Sequence, residues 1–351
     1  MKGVIVEAPG SPYKVVENLD TPKPASDQLL VKSIATAVNP VDTYMQSTGL
    51  LVTAWPIVLG CDAGGVVVQV GPDVASTFKV GDRVCGCTRL GIPGYSTFQE
   101  YFLMDSKLTL PILEGFSIEQ GATLGVGTYT ACVGLFQGLK IKPPEAAAPV
   151  PQKEEWVVVL GGAGSVGQYT VQIAKALGYK VVASCSQKTA AMVQSLGADT
   201  VIDYRKSETE QLHDLKDITG GAFFGVYDTV AQSEKIARRA LMEVSSMKQK
   251  YFATTDDWSP MEPNNDHETY RAKLGQIGRS AEENKEEGVP TMNDDIASYI
   301  PLLVRLMKEG KLKPNVFKVV GKGFESISEA VEIQQKGGAP GAKVIVHLQD
   351  G

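Results

Sequence analysis

Trp156-Val157-Val158-Val159-Leu160-Gly161-Gly162-Ala163-Gly164-Ser165-Val166-Gly167 is the stretch on which the fold turns. Trp156 to Leu160 reads as a buried strand. From Val166 to Leu177 apolar residues recur at helical spacing, and Gly178 stops them. Between the two lies a full G-x-G-x-x-G, a spacing that is weak alone and informative where it joins a strand to a helix. Gly162 permits the tight turn, Gly164 lets a backbone come close to a pyrophosphate, and Gly167 allows the helix to pack on the strand. With Ala163, Ser165 and Val166 completing the loop, the unpaired N–H groups at the helix start face the phosphates. Dinucleotide binding is the expectation.

Downstream the alternation continues. Lys180 to Ser184 is a strand, Thr189 to Leu196 a helix closed by Gly197, and Thr200 to Ile202 and Phe223 to Val230 are further strands. This rhythm implies a parallel sheet with helices on its faces. About 20 residues past the loop, an acid would hold the ribose hydroxyl of NAD. Ser184-Cys185-Ser186-Gln187-Lys188 offers none, and its hydroxyls and lysine suit a 2′-phosphate instead. NADP(H) is expected; the plainer reading of Lys188 is a solvated residue at a helix start.

Upstream, Val4 to Val6, Leu29 to Ile34, Gly65 to Val70 and Arg83 to Cys85 are short apolar or alternating runs punctuated by Gly71-Pro72 and Gly81-Asp82. They suggest an all-β or partly open barrel. Lys140 to Glu155, rich in Pro and Ala, reads as an exposed extended insertion, and Asp256 to Pro290 as a mobile polar surface segment. Order resumes with amphipathic helices at Asp294 to Glu309 and Ile327 to Gln335 and a last strand at Lys343 to Leu348.

The 351 residues are enough for two domains, and the net charge of -6 gives no support to a nucleic-acid or acidic-membrane partner. The first residues lack a secretory core, and no apolar run approaches the ~18 residues of a membrane span. Five scattered cysteines, an odd number, fit a reducing compartment, so a cytoplasmic location is expected. Cys85 and Cys87 read as small buried hydrophobes beside Gly86.

With Asn39-Pro40-Val41-Asp42, Leu59-Gly60-Cys61-Asp62-Ala63-Gly64, Val80-Gly81-Asp82-Arg83-Val84, the glycine loop, Leu196-Gly197-Ala198-Asp199, Ile202-Asp203-Tyr204-Arg205 and Gly341-Ala342-Lys343-Val344-Ile345-Val346, nearly the whole chain resembles the zinc-independent branch of the medium-chain dehydrogenase/reductase superfamily. It is similar to quinone oxidoreductases and to fungal trans-acting enoyl reductases. The resemblance implies an α/β architecture: a GroES-like β-barrel substrate domain (1–123 and 290–351) and a Rossmann doubly wound parallel sheet binding NADP(H) (124–289). It also implies that Ser186, Lys188 and Tyr204 surround the 2′-phosphate, with Ser184 beside them; read alone, Tyr204 is a packing aromatic.

Zinc alcohol dehydrogenases of this superfamily carry a cysteine where Asn39 stands, a His-Glu pair at Cys61-Asp62 and a further cysteine near Leu124. Only Cys61 could ligate softly, and the structural four-cysteine lobe is missing, so no metal is expected. Without a Lewis acid, hydride must pass to an activated acceptor such as a carbonyl-conjugated C=C or a quinone. Charge then gathers on the carbonyl oxygen, where donors stabilise it. The resemblance puts Tyr44 and Thr128 at that work, Tyr44 as proton donor against a pocket-lining aromatic, and makes Asn39 a polar residue of the cleft. Asp42 reads as a cap rather than a base. Relatives carry a glycine-rich turn after the helix near Leu241, where this chain has Glu243-Val244-Ser245-Ser246-Met247, so no contact is assigned there.

The expected activity is reduction of an activated C=C, free or as a carrier-bound enoyl thioester. The alternatives are a quinone reductase and a cofactor-binding scaffold without turnover. Lys248 and Lys250 beside an expected edge strand, Met247 to Ala253, argue for a monomer.

Overall fold

The computed structural model describes residues 1–144, 150–261, 263–277 and 292–350. Its contacts separate two compact units: Met1–Val126 with Gly275–Ile300 and Pro314–Gly351, and Gly127–Leu274 with Pro301–Lys313.

In chain order the first unit builds β1 (Gly3–Val6), β2 (Lys14–Val16), β3 (Gln28–Val38), α1 (Pro40–Thr48), β4 (Ile57–Val58), β5 (Asp62–Val70), β6 (Arg83–Cys87), β7 (Tyr101–Asp105), β8 (Leu110–Pro111) and α2 (Ile118–Ala122). β1 lies between β2 and β4 in a small antiparallel sheet. The spine of the larger sheet is β3, buried along almost its full length. β5 pairs along one side of it, and β7 and then the C-terminal strand share the other. Two register shifts between β3 and β5 bend the sheet, which is how a barrel wall turns its corners. The expected all-β region thus contains helices as well. α1 opens with Asn39-Pro40, an N-cap residue followed by proline at the first helical position, a start signal that the reading by strands passed over.

The chain then forms α3 (Val126–Val133), β9 (Trp156–Leu160), α4 (Ser165–Ala176), β10 (Lys180–Cys185), α5 (Ala190–Ser195), β11 (Thr200–Asp203), α6 (Glu208–Thr219), β12 (Phe223–Asp228), α7 (Glu234–Arg239), β13 (Tyr251–Thr254) and β14 (Glu268–Arg271). The sheet runs β11-β10-β9-β12-β13-β14, every neighbour parallel. Strand order reverses between β9 and β12, and ligands of open α/β sheets bind at the carboxyl ends beside such a reversal. Val158, Val182, Phe223, Val226 and Phe252 pack the sheet against α6 and α7.

Two expectations are corrected in this unit. Lys248 and Lys250 precede β13, which is not an edge: β14 pairs with it over all four residues. The edge-strand argument for a monomer therefore falls. Asp256 to Pro290 is also less open than its composition suggests. Asp256 is buried and its carboxylate accepts the N–H groups of Trp258 and Ser259, while Arg271 donates to the Asp256 and Ser259 carbonyls. Residues 262 and 278–290 of that segment, and 145–149 of the Pro/Ala insertion, lie outside the described residues.

Closing the chain are α8 (Met292–Lys308), β15 (Phe317–Lys322), α9 (Ile327–Gln335) and β16 (Lys343–His347). β16 inserts between β15, parallel to it, and β3, antiparallel. Residues 301–313, expected with the barrel, belong instead to the parallel-sheet unit. The Gln172 side chain of α4 clasps Lys313, accepting from its N–H at 2.8 Å and donating to its carbonyl at 3.2 Å.

Candidate active site

The glycine loop leaves the end of β9 and enters α4 at Gly164, the extended N-cap residue. It is braced from below. Ser184 at the end of β10 accepts from Gly161 N–H with its hydroxyl (2.9 Å) and from Gly162 N–H with its carbonyl (2.8 Å). Ser184 thus holds the loop, and its hydroxyl keeps a proton to donate. Gln168, one turn into α4, donates to the Ala163 carbonyl at 2.9 Å.

Two glycines show what the loop is for. A Cβ at Gly167 would stand 2.2 Å from the Gly161 carbonyl oxygen, so helix and loop touch there as backbone. A Cβ at Gly164 would meet only Gly161 O at 3.4 Å and Val230 Cγ1 at 3.7 Å, ordinary contacts. The protein's own packing leaves room at Gly164, and the small residue keeps that space for a group outside the chain, as a pyrophosphate cradle needs.

Parallel pairing sets Ser184 opposite Ile202 and Cys185 opposite Asp203. Ser186 and Lys188 therefore leave one strand end beside Tyr204 at the next. Lys188 is exposed, and Tyr204, exposed by 56%, is not the packing aromatic its sequence alone suggests. Asp203, adjoining Tyr204 in sequence, is paired with Arg205, which donates to both of its oxygens at 2.9 and 2.6 Å. That pairing holds the carboxyl down to about 2.

Of the catalytic candidates, Tyr44 lies on α1 in the first unit, 44% exposed. Thr128 lies on α3 in the second, fully buried, its hydroxyl without a hydrogen-bond partner. A helical threonine usually satisfies its hydroxyl on the preceding turn, so an unmatched one reserves a donor for something else. Asn39 is tied into the first unit's interior. It is 3% exposed, and its amide donates to Asp62 Oδ2 at 2.9 Å while its oxygen accepts from the Lys343 ammonium.

Around Asn39 lies a buried polar cluster that sequence reasoning did not foresee. Asp62 accepts from Asn39, Lys343 (3.3 Å) and, on its other oxygen, Val126 N–H (2.7 Å). Burial pushes the Asp62 carboxyl up, and those donors pull it back. Asp42 closes the α1 N-terminus by accepting from Asn39 N–H at 2.7 Å, as its spacing suggested, and takes the Cys61 thiol at 3.6 Å. Burial raises Asp42 to about 7. The thiols of Cys61, Cys85 and Cys87 are all pushed up, Cys61 by its contact with Cys87 and by burial, the other two by burial, which makes them unreactive. Among the described residues no group of three His, Cys, Asp or Glu side chains is placed to hold a metal ion.

Comparison with known proteins identifies the family. Residues 25–114 match the family Alcohol dehydrogenase GroES-like domain, and residues 165–243 match the family Zinc-binding dehydrogenase. The chain is 31% identical to Dehydrogenase pigH of Monascus ruber, over 99% of this chain and 97% of that protein. It is 34% identical to Trans-enoyl reductase TOXD of Cochliobolus carbonum, over 66% of this chain and 75% of the relative. Among solved structures, quinone oxidoreductase of Escherichia coli complexed with NADPH superposes with a TM-score of 0.74 at 22% identity, over 99% of this chain and 100% of the other. A GroES-like unit, a six-stranded doubly wound sheet and a relative alike from end to end lead to one conclusion: the chain is an oxidoreductase of the medium-chain dehydrogenase/reductase superfamily.

Proposed function

We propose that the protein is an NADPH-dependent enoyl reductase that reduces a carbonyl-conjugated C=C, its substrate an α,β-unsaturated thioester that a synthase carrier can present. The observation that carries the cofactor half is the corner where Ser186, Lys188 and Tyr204 emerge together, with the adjoining Asp203 paired to Arg205. Similarity to the trans-enoyl reductases supports the acceptor half. The loop from Gly162 to Gly167 and the start of α4 would hold the pyrophosphate. When bound, NADPH supplies hydride from its nicotinamide ring.

The chain's own residues contribute orientation and a proton. Charge that builds on the substrate carbonyl during reduction needs a donor aimed at the oxygen. The unmatched Thr128 hydroxyl is suited to that role or to fixing the nicotinamide, and the Tyr44 phenol can deliver a proton. No metal enters this scheme. The Lys343 ammonium occupies the polar centre formed by Asn39 and Asp62, and a resident cation repels a second one.

NADPH oxidation by the purified protein, measured in parallel against a short α,β-unsaturated thioester and a simple quinone, tests the reading. Saturable turnover of the thioester with the quinone slow is expected, and Thr128→Val is expected to lower kcat about 10-fold or more. Preference for the quinone would move the protein to general redox metabolism. Tight NADPH binding with neither acceptor consumed would make it a scaffold.

A further inference from the structure

Lys343 has a side chain only 4% exposed, and its ammonium meets two partners, Asn39 Oδ1 and Asp62 Oδ2. A buried ion pair is a poor way to stabilise a fold, because apolar residues of the same volume do as well or better. What such a pair supplies is geometry, since its partners can satisfy one another in few arrangements.

The partners here are the starts of two helices. Asn39 is the N-cap residue of α1, the helix of Tyr44. Asp62 accepts from the N–H of Val126, first residue of α3, the helix of Thr128; that N–H has no partner within its own helix. Gly125 makes the approach possible, since a Cβ there would stand 2.0 Å from Asp62 Oδ1. The remaining titratable groups at the cluster, Asp42, Cys61 and Cys87, interact with one another through the Cys61 thiol. The charge of Lys343 reaches Asp42 and Cys87 through space, favouring the ionised form of each.

We propose that Lys343 is a positioning residue for the reaction. Its ammonium joins Asn39 to Asp62 and thereby fixes the first turns of α1 and α3, on which Tyr44 and Thr128 stand. The inference rests on the enoyl reductase reading for its kinetic consequence and on the structure alone for its effect on the helices.

Hydrogen exchange and steady-state kinetics on full-length Lys343→Met and Lys343→Arg separate the two. Lys343→Met is expected to speed exchange at the first-turn amides of α1 and α3, leaving the parallel-sheet strands as in wild type. It should lower kcat about 10-fold or more while KM for NADPH stays within about two-fold. Lys343→Arg, which keeps a cation, should recover most of the protection and of kcat. Unchanged exchange at those amides, or exchange raised evenly through the first unit, would overturn the proposal. If Lys343→Met does not fold, Lys343→Met with Asp62→Asn leaves no uncompensated charge, and the amide oxygen that replaces the carboxylate can still accept from Val126. That double variant should lose protection at the α1 start and keep it at Val126; any other pattern counts against the lysine. A wild-type protein that reduces no thioester would defeat the functional reading and leave the exchange result standing.

Discussion

Asp42 is the residue at which burial and charge conflict most openly. It is fully buried, near a second carboxylate, and raised to about 7 from an ordinary 3.8. The folded state therefore holds a proton that the unfolded chain has released. Stability from this source is full below about pH 4, is lost as pH rises towards about 7, and changes no further above that. Asp42→Asn should remove that slope. Thermal unfolding followed from pH 5 to pH 8 is expected to show the wild-type midpoint falling across the range while the variant's stays flatter; parallel curves would mean that Asp42 is already ionised at pH 5. The capping role of this residue was legible, since Asn39-Pro40-Val41-Asp42 is a helix start written in local sequence. Lys343 was not. Its contact with Asn39 spans 304 residues, and a lysine before an apolar strand reads as an exposed end.

Elements with a strong apolar period came through nearly intact. β9 and α9 keep the bounds their sequence suggests, α4 differs by a residue at each end and β10 by a residue at one. α6 was missed because only four of its residues are buried, two of them polar (Gln211 and Thr219), so its periodic signal is thin. Its true mark was Ser207 with Glu210 three residues on, each closing the other's backbone N–H. β14 was illegible for a different reason: Glu268-Thr269-Tyr270-Arg271 is half exposed and gains its order from β13 rather than from its own composition. The glycine loop is the element most easily tested. Gly167→Ala places a methyl against a backbone carbonyl, which no rotamer change relieves. Titration with NADPH should show affinity reduced about 10-fold or more in a protein that still melts cooperatively. Wild-type affinity would mean that α4 can shift without disturbing the cradle.

At the scale of the molecule, two units share one chain that leaves the barrel, builds the parallel sheet and returns. No helix among the described residues is long and apolar enough to cross a membrane. The change from short strands to alternating strands and helices made the two-part plan readable. The return did not show itself fully: the apolar repeat of Leu302, Leu303, Leu306 and Met307 announces a helix, but not that Pro301–Lys313 joins the parallel-sheet unit, where Gln172 holds Lys313 from 141 residues away.

That return bears on how the protein is made. β16 fills the place between β15 and β3 and begins with the lysine that joins Asn39 to Asp62. On the ribosome, β9 to β14 can assemble while the barrel still lacks a wall, because its missing strand has not yet been translated. Through that interval β3 exposes part of an edge, the kind of surface that chaperones shield and proteases find. A chain stopped at Pro340 should mimic the interval: limited proteolysis is expected to cut within Met1–Val126 and spare Trp156–Thr254. Equal resistance in both regions would show that the barrel closes without its last strand. On the expected outcome, the part of the protein made first is the part finished last.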